Sequence, residues 1–350
     1  MSQTELAAAM GLEHRQTIGQ IESGERRITP EELVRAAEAL DVELDALLDP
    51  YRLVGEARFS FRTTNVATEV LAAFEEEAGR WLATYRELSA RMGEEASYLG
   101  VRLELSESSS FEEAAASGET LWRAWELGDI PAVRLEEAIE RELGALVLYV
   151  DAPGGVSGAA SHLPRCHAIL VNRNESTSRR YYDLAHELFH LLTWEAMPPK
   201  RVEPQEAPRT KGNRVEHLAD NFAAGLLMPS ELLARRWGSR GDGRLVRWVS
   251  QTASDLRVSF ASLVWRLVNL TYLEKTEAEP LLQAARTGTS GASGETPRLF
   301  SRRFTAVIGN AVNAGLLSLR RAAGLLSLSV VDFGRLCADY DIQLAYEFPE

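Results

Sequence analysis

Cysteine is scarce in this chain, since only Cys166 and Cys337 occur in 350 residues, far apart and outside any CxxC spacing. A disulfide framework is therefore not expected, and both cysteines are typical of small buried groups. Long apolar runs are also lacking, because no stretch reaches the roughly 18 apolar residues of a membrane span. The first residues, MSQTELAAAMGLEHRQ, lack the basic start and apolar run of a signal peptide, which predicts a cytoplasmic protein.

An excess of positive charge is lacking as well, because 38 basic residues against 51 acidic ones give a net charge of −13. A protein that coats nucleic acid by charge alone is thereby excluded, and any DNA contact must come from a local surface. The apolar fraction of 45% and the charged fraction of 25% are ordinary for a globular protein. The length favours two or three domains with a real core.

Helical patterns dominate the chain. The first fifty residues predict short helices separated by Gly11, Gly24 and Pro30 and closed by Pro50. A long helix is predicted over about residues 67–91, where apolar residues recur at helical spacing. The last fifty residues are again helical, after a flexible linker over residues 286–298.

The centre of the chain combines strands and helices. The helix LEEAIERELG precedes the apolar runs ALVLYV and HAILVN, which predict two strands joined by the Gly-rich loop DAPGGVSGAA. Two apolar helices follow, SRRYYDLAHELFHLLTW and NRVEHLADNFAAGLLMPSELL, with the Pro-rich polar loop MPPKRVEPQEAPRTKG between them.

The segment HELFH carries the most specific chemical signal. His186 and His190 lie four residues apart on a helix, so both imidazoles project from one face and can bind one metal ion. Glu187 stands where its carboxylate can take a proton from a water molecule whose pKa the metal lowers, as in HExxH hydrolases. Zinc is the expected ion, and it would compensate the cost of burying these polar side chains in a mostly apolar helix.

A catalytic zinc ion usually has three protein ligands, so a third ligand is expected elsewhere. We predict Glu216, which opens the second apolar helix, with Asp220 one turn later to orient a zinc-bound His. His217 is the alternative ligand, but it points about 100 degrees around the helix from Glu216.

The runs DLAHELFHLL and VEHLADNFAAGLLMP resemble the ImmA/IrrE family of bacterial metallopeptidases, and the similarity covers about residues 120–235. The resemblance implies a gluzincin-like fold with His186, His190 and Glu216 as zinc ligands and Glu187 as the general base. It also implies a role in cutting a repressor or antitoxin protein to switch transcription. One departure is Phe189, where the family commonly has Gly.

The amino-terminal residues SQTELAAAMGLEHRQTIGQIESGERRITPEELVRAAEALDV resemble a lambda-repressor-type (Cro-type) helix-turn-helix. The resemblance makes residues 3–9 the support helix and residues 14–22 the recognition helix. Base edges and phosphates are the expected targets of Arg15, Gln16, Thr17 and Gln20, with Arg26 and Arg27 on the DNA backbone.

Two observations weigh against DNA binding by this segment. The helix that usually precedes SQTEL in a five-helix domain of this type is absent, and four arginines against ten acidic residues give residues 1–48 a net charge of −6. DNA-reading domains are more often basic. A small helical module for dimerisation or protein contact is therefore the alternative, and a homodimer is a further expectation.

The carboxyl-terminal segment from Arg298 resembles the tail of family members with this domain order. Residues 318–337 then form a second helix-turn-helix-like bundle. The alternative, which we favour, treats the basic side chains there as ordinary solvated charges; these are Arg302, Arg303, Arg320 and Arg321.

Together these features predict a mostly helical α+β protein. Its predicted parts are a helix-turn-helix domain (1–50), a helical connector (51–120), a zinc metallopeptidase domain with a small sheet (121–285), the linker and a helical carboxyl-terminal domain (299–350). The predicted function is a transcriptional regulator with a zinc endopeptidase site. The alternatives are a transcription factor whose peptidase fold serves as a non-catalytic sensor or docking domain, and a structural zinc domain closed by a fourth ligand.

Overall fold

The fold was obtained as a computed structural model, which describes residues 1–53, 58–93, 100–163, 165–204, 213–241, 243–287 and 295–345. The chain divides into two compact units, Met1–Leu53 and Val54–Glu350. Most of the predicted linker, residues 288–294, lies outside the described residues. The prediction of a mostly helical protein with a small sheet is confirmed.

Unit 1 consists of short helices around a small apolar core. Its helices are α1 (Gln3–Ala9), α2 (Arg15–Glu22), α3 (Pro30–Leu40) and α4 (Leu44–Leu48). Capping boxes begin α1 at Ser2 and α3 at Thr29, because each side-chain hydroxyl accepts from the third helical residue and that residue's carboxylate accepts in return. Gly11 turns the chain between α1 and α2 with a φ of 71°, a conformation that suits glycine. The core residues are Ala7, Met10, Ile18 and Ala36.

Unit 2 contains the sheet and the remaining helices. Its strands are β1 (Arg58–Thr63), β2 (Leu146–Val150), β3 (Val156–Leu163), β4 (Cys166–Asn172) and β5 (Val202–Pro204). Its helices are α5 (Thr68–Arg91), α6 (Phe111–Ala124), α7 (Pro131–Leu143), α8 (Thr177–Thr193), α9 (Arg214–Leu227), α10 (Ser230–Gly238), α11 (Leu245–Leu256), α12 (Phe260–Asn269), α13 (Lys275–Thr287), α14 (Arg302–Asn313), α15 (Leu319–Leu325) and α16 (Val330–Asp339).

The five strands form one mixed sheet in the order β2-β4-β3-β1-β5. Strand β3 is antiparallel to both of its neighbours, β4 and β1, whereas β2 is parallel to β4 and β5 is parallel to β1. The pairing of β1 with β3 places Arg62 opposite Gly158 and shifts register between Arg62 and Thr63. Such a shift marks a β-bulge, which disrupts the ladder locally.

Helices cover both faces of the sheet. On one face, the ring of Phe61 in β1 lies 6.0 Å from that of Phe74 in α5. On the other face, Arg62 reaches Asp183 in α8. This arrangement follows from the alternation of side chains along β1, because successive residues of a strand point to opposite faces.

Helices α6 and α9 cross at close range through two glycines. A Cβ atom on Gly118 would collide with the backbone carbonyl of Phe222, and one on Gly225 would collide with that of Ala115. Only a residue without a side chain allows two helix backbones to approach this closely. The crossing fixes α9, which carries Glu216, against α6.

Two features of unit 2 differ from the sequence predictions. The second half of the segment predicted as a Gly-rich loop, from Val156, belongs to strand β3, where Gly158 occupies a crowded place in the sheet. The predicted helical connector over residues 51–120 supplies strand β1 to the same sheet. The pairing of β1 with β3 joins residues about a hundred positions apart, whereas β3 also pairs with β4, which follows it directly.

The carboxyl-terminal helices are part of unit 2 rather than a separate domain. Phe300 forms a β-bridge with Tyr149 of β2, and its ring lies 5.1 Å from that of Trp81 in α5. The side chain of Arg303 donates to the carbonyl of Gly144 at the end of α7. Among the described residues, no helix is long and apolar enough to cross a membrane.

Candidate metal centre

Helices α8 and α9 bring the predicted metal ligands together. Helix α8 is buried from Asp183 to its end, and its helical period puts His186 and His190 on the face that meets α9. Phe189 lies between them in sequence but turns into the core, where its ring centroid is 5.6 Å from that of Phe222 in α9. The aromatic pair holds the two helices together, so the bulk of Phe189 fills the helix contact.

Three side chains converge on one point. Nε2 of His186 lies 3.1 Å from Nε2 of His190 and 3.2 Å from Oε2 of Glu216. Nε2 of His190 lies 3.3 Å from Oε1 of Glu216. The exposed fractions of these side chains are only 1% for each His and 4% for Glu216.

This arrangement fits a tetrahedral metal ion. In a tetrahedral site, zinc bond lengths of about 2.0–2.2 Å separate neighbouring ligand atoms by about 3.3–3.6 Å, close to the spacings of the three residues here. The two Nε2 atoms face each other and can share only one proton in a hydrogen bond. A cation between them can accept the lone pairs of both nitrogens. Within the described part of the chain, His186, His190 and Glu216 form the one group of this kind.

The carboxylate of Glu187 is buried beside this group, with an exposed fraction of 1%. Its Oε2 atom has no hydrogen-bond partner among the described residues. Burial raises the pKa of Glu187 to about 8, although His190 and Arg62 oppose the shift. A buried carboxyl group with an unpaired oxygen is costly for a purely structural role, because buried polar groups are normally hydrogen-bonded.

A second set of side chains surrounds the ligands. Nδ1 of His186 lies 3.0 Å from Oδ1 of Asp220, on the side of the ring away from Glu216. Arg62 contacts both Asp220 at 3.4 Å and Asp183 at 3.7 Å. Asp183 also accepts from Arg179 at 3.0 Å. Asp220 can therefore fix the tautomer of His186, and Arg62 holds Asp220 in turn.

The electrostatics of the site depend on these contacts. Burial and Arg62 act to lower the pKa of His186, but the hydrogen bonds to Asp220 and Glu216 outweigh them and raise it. Burial acts to raise the pKa of Glu216, but the hydrogen bonds with His186 and His190 lower it well below its usual range. The pKa of Asp220 falls to about 2, because its hydrogen bond with His186 outweighs burial.

His217, the alternative ligand, lies apart from the group. Its ring stands edge-on to Phe111 of α6 at 6.2 Å between centroids. It points away because adjacent residues of a helix project about 100 degrees apart. Glu216 takes the place beside the two histidines, as the sequence predicts.

Two residues near the site were not anticipated from the sequence. Arg62 comes from β1, and Gly158 from β3 places its backbone next to Glu187, so that a Cβ atom there would lie 3.5 Å from Cγ of Glu187. The signal for Arg62 is the segment RFSFRT, in which Phe alternates with polar residues as in a half-buried strand. The position of Gly158 depends on sheet register, which the sequence alone does not reveal.

The predicted DNA-contacting residues all belong to unit 1. Four of them are exposed, namely Arg15, Gln16, Gln20 and Arg27, and Thr17 is half-buried. The guanidinium of Arg26 forms a two-point ion pair with Glu32, with bonds of 2.7 and 3.0 Å, and this contact holds the pKa of Glu32 at about 2. Arg26 therefore has a structural partner at the start of α3.

Comparisons with known families agree with both resemblances. Residues 1–47 match the family model described as helix-turn-helix. Residues 140–268 match the model described as IrrE N-terminal-like domain, a peptidase family model. No curated protein matches the chain significantly. The two matches support a DNA-binding regulator with an ImmA/IrrE-type peptidase-like domain, as predicted from the motifs.

Proposed function

We propose that this chain is a transcriptional regulator with a zinc-dependent endopeptidase site that cleaves a repressor or antitoxin-type protein. The observation that carries the proposal is the convergence of His186, His190 and Glu216 within 3.1–3.3 Å of one another beside the buried carboxylate of Glu187. Three ligands leave one position of a tetrahedral ion for a reactant, which is the arrangement of catalytic zinc sites.

The roles of the residues follow from their positions. When bound, zinc would supply a Lewis acid that lowers the pKa of water and polarises a peptide carbonyl. His186, His190 and Glu216 would hold the ion. Glu187 acts as the general base that takes a proton from the attacking water and delivers it to the leaving amine. Asp220 accepts the Nδ1 proton of His186 and so presents Nε2 to the ion.

A non-catalytic sensor or docking domain is the second candidate function. It requires the fold and the apolar contacts but has no use for Glu187, whose Oε2 atom lacks a hydrogen-bond partner among the described residues. A structural zinc domain is the third, and it requires a fourth protein ligand. His217 is not placed to serve as that ligand, since its ring faces Phe111. Both points favour the enzyme.

The amino-terminal unit supports the choice of substrate class. A helix-turn-helix on the same chain would bring the peptidase to DNA, where repressors and antitoxins act. The residues that we propose for contact with DNA are Arg15, Gln16, Thr17, Gln20 and Arg27. Arg26 is assigned a structural role instead, because it pairs with Glu32 at the start of α3.

Metal analysis tests the site. We expect about one zinc per chain in the purified wild-type protein, in line with a single three-ligand site. Glu216→Ala and His186→Ala should lose the zinc, whereas Glu187→Gln should keep it. Wild-type protein that takes up no zinc even when zinc is supplied would exclude the enzyme.

Cleavage tests the reaction and the substrate class. The zinc-loaded protein is incubated with a helix-turn-helix repressor encoded beside its gene, and the products are identified by mass spectrometry. We expect a single cut with wild type and none with Glu187→Gln. Full cutting by Glu187→Gln would contradict the role of this residue as the base.

DNA binding needs a separate test. The full chain selects duplexes from a random library, and fluorescence anisotropy then compares wild type with Gln20→Ala. Loss of a base contact costs about 1–3 kcal/mol of binding free energy. The matched control is Gln251→Ala, in α11 of unit 2. A chain that selects no duplex would favour the dimerisation or protein-contact module.

A further inference from the structure

Strand β1 lies along the edge of β3 that borders the metal centre. Its residue Arg62 pairs with Gly158, and Gly158 is the position of β3 that approaches Glu187. A Cβ atom on Gly158 would lie 3.7 Å from Oε1 of Glu187. The stretch of sheet edge nearest to the proposed general base is therefore already occupied by the chain itself.

Arg62 fastens this end of β1 to the helices below it. Its guanidinium contacts Asp183 of α8 and Asp220 of α9, at 3.7 and 3.4 Å, and lies over the ring of Tyr182 at 5.8 Å from the centroid. Asp183 is fully buried, and only 6% of the Arg62 side chain is exposed. One side chain thus joins the sheet edge to both helices of the metal centre.

The four residues at the metal centre are buried. The exposed fractions are 1% for His186, Glu187 and His190 and 3% for Glu216. A peptide carbonyl has to approach within bonding distance of these groups, so a closed centre must open before it can act. Strand β3 lies beside Glu187, and β1 pairs with β3 at that point, so movement of β1 would free the edge of β3 nearest to Glu187.

We propose that residues 62–64, the closing strap, shut the peptidase site, and that an extended segment of the substrate protein takes their place on the edge of β3. The inference rests on the proposed function. An extended peptide gains main-chain hydrogen bonds when it adds to the edge of β3, so it can replace those that the strap gives up there. On its other side the strap pairs with β5, through Arg62 with Glu203 and Thr63 with Pro204, so β5 would move with it. The occupant we commit to is thus a peptide in strand conformation.

The structure indicates why only this end of β1 would move. Phe59 and Phe61 are buried on the other face, where Phe61 packs against Phe74, and their exposure would be costly. The register shift between Arg62 and Thr63 interrupts the ladder at the start of the strap. Beyond it, the amide of Thr64 donates to the carbonyl of Gly155. The aromatic pair anchors the strand while the bulge provides the hinge.

The first test measures how fast an excess of chelator removes zinc from the zinc-loaded full chain. Arg62→Gln releases the strap and should speed zinc removal at least about tenfold, given the strength of buried ion pairs. Arg62→Lys keeps the charge and should stay within about threefold of wild type. The equilibrium zinc affinity should change less than the rate, because a strap that opens more often speeds both the entry and the removal of zinc.

Arg179→Gln is the matched control. Arg179 pairs with the same Asp183 but lies on α8, so it holds no strand. It should leave the rate of zinc removal near the wild-type value. Equal acceleration by Arg179→Gln and Arg62→Gln, or no acceleration by Arg62→Gln, would overturn the strap and leave a purely structural ion pair.

Hydrogen exchange tests the strap without metal or catalysis. In the wild-type chain, the amides of Thr63 and Thr64 should exchange at least about tenfold faster than those of β4, because local opening precedes global unfolding. Exchange of the strap together with β4 in one cooperative step would overturn the proposal even if zinc binds. Conversely, absence of zinc binding with fast exchange of the strap would overturn the proposed function alone.

Discussion

Asp220 contacts the ring of His186 on the side opposite to His190 and Glu216, with 3.0 Å between Oδ1 of Asp220 and Nδ1 of His186. The other ring nitrogen, Nε2, faces Glu216 at 3.2 Å. Because a carboxylate accepts and cannot donate, this contact requires a proton on Nδ1. In a neutral imidazole that proton leaves Nε2 available to a metal ion, so Asp220 would favour the metal-binding tautomer of His186.

Removal of this carboxylate should weaken metal binding. Asp220→Ala is expected to lower the affinity for zinc about 10- to 100-fold, the usual effect of losing a partner that orients a ligand. Competition with a chromophoric chelator measures the affinity. The matched control is Asp129→Ala, which removes an exposed carboxylate paired with Arg235. Unchanged affinity in Asp220→Ala would show that the ring is positioned by packing alone.

A methyl group at Gly158 should destabilise the protein. Its Cβ atom would lie 3.1 Å from the carbonyl oxygen of Leu170 and 3.5 Å from Cγ of Glu187. Overpacking of this kind costs about 1–3 kcal/mol of the free energy of unfolding. Urea denaturation of Gly158→Ala measures the loss. Gly154→Ala is the control, since nothing lies within 4 Å of a Cβ atom there, and an equal loss in both variants would argue against crowding.

A methyl group at Gly225 should have a larger effect. The new Cβ atom would collide with the backbone carbonyl of Ala115, which cannot move aside as a flexible side chain can. We expect a loss of about 3 kcal/mol or more in the free energy of unfolding. Thermal denaturation of Gly225→Ala checks it against Gly238→Ala, where the Cβ atom meets open space. Wild-type stability in Gly225→Ala would mean that α6 and α9 can separate at little cost.

Glu136 should make stability depend on pH. Burial and the neighbouring Glu140 raise the pKa of Glu136 from its ordinary value of 4.5 to about 7, although Tyr149 donates a hydrogen bond to it. Because the folded pKa lies above the unfolded one, its stabilising contribution is present below pH 4.5 and is lost as the pH rises through about 7.

The variant Glu136→Gln removes this dependence. We compare the free energy of unfolding of Glu136→Gln with that of wild type at each pH. This difference should shift in favour of the variant by roughly 1–3 kcal/mol between acid and slightly alkaline conditions. Urea denaturation across this range, with a chelator in every sample, measures the difference without a contribution from metal. Glu137→Gln, at an exposed neighbour in α7, is the control. A constant difference between Glu136→Gln and wild type would contradict the raised pKa.

The sequence predicted the centre of the site because its geometry is local. His186 and His190 share a helix, as do Glu216 and Asp220, so the helical period alone places each pair on one face. The sequence did not predict Arg62, whose contact with Asp220 spans 158 residues and depends on sheet pairing. It also assigned Gly158 to a loop, because glycine disfavours strands unless a close neighbour requires its small size.

The contact of α6 with α9 limits how far this protein can be shortened from its amino terminus. The segment that matches the peptidase model begins at residue 140, whereas Gly118 and Ala115 of α6 lie before it. A fragment that starts at residue 140 would expose the groove of α9 around Gly225 to water and lose β1 from the sheet. The boundary drawn by family similarity is therefore not a folding boundary, and a shortened peptidase has to begin upstream of Arg58.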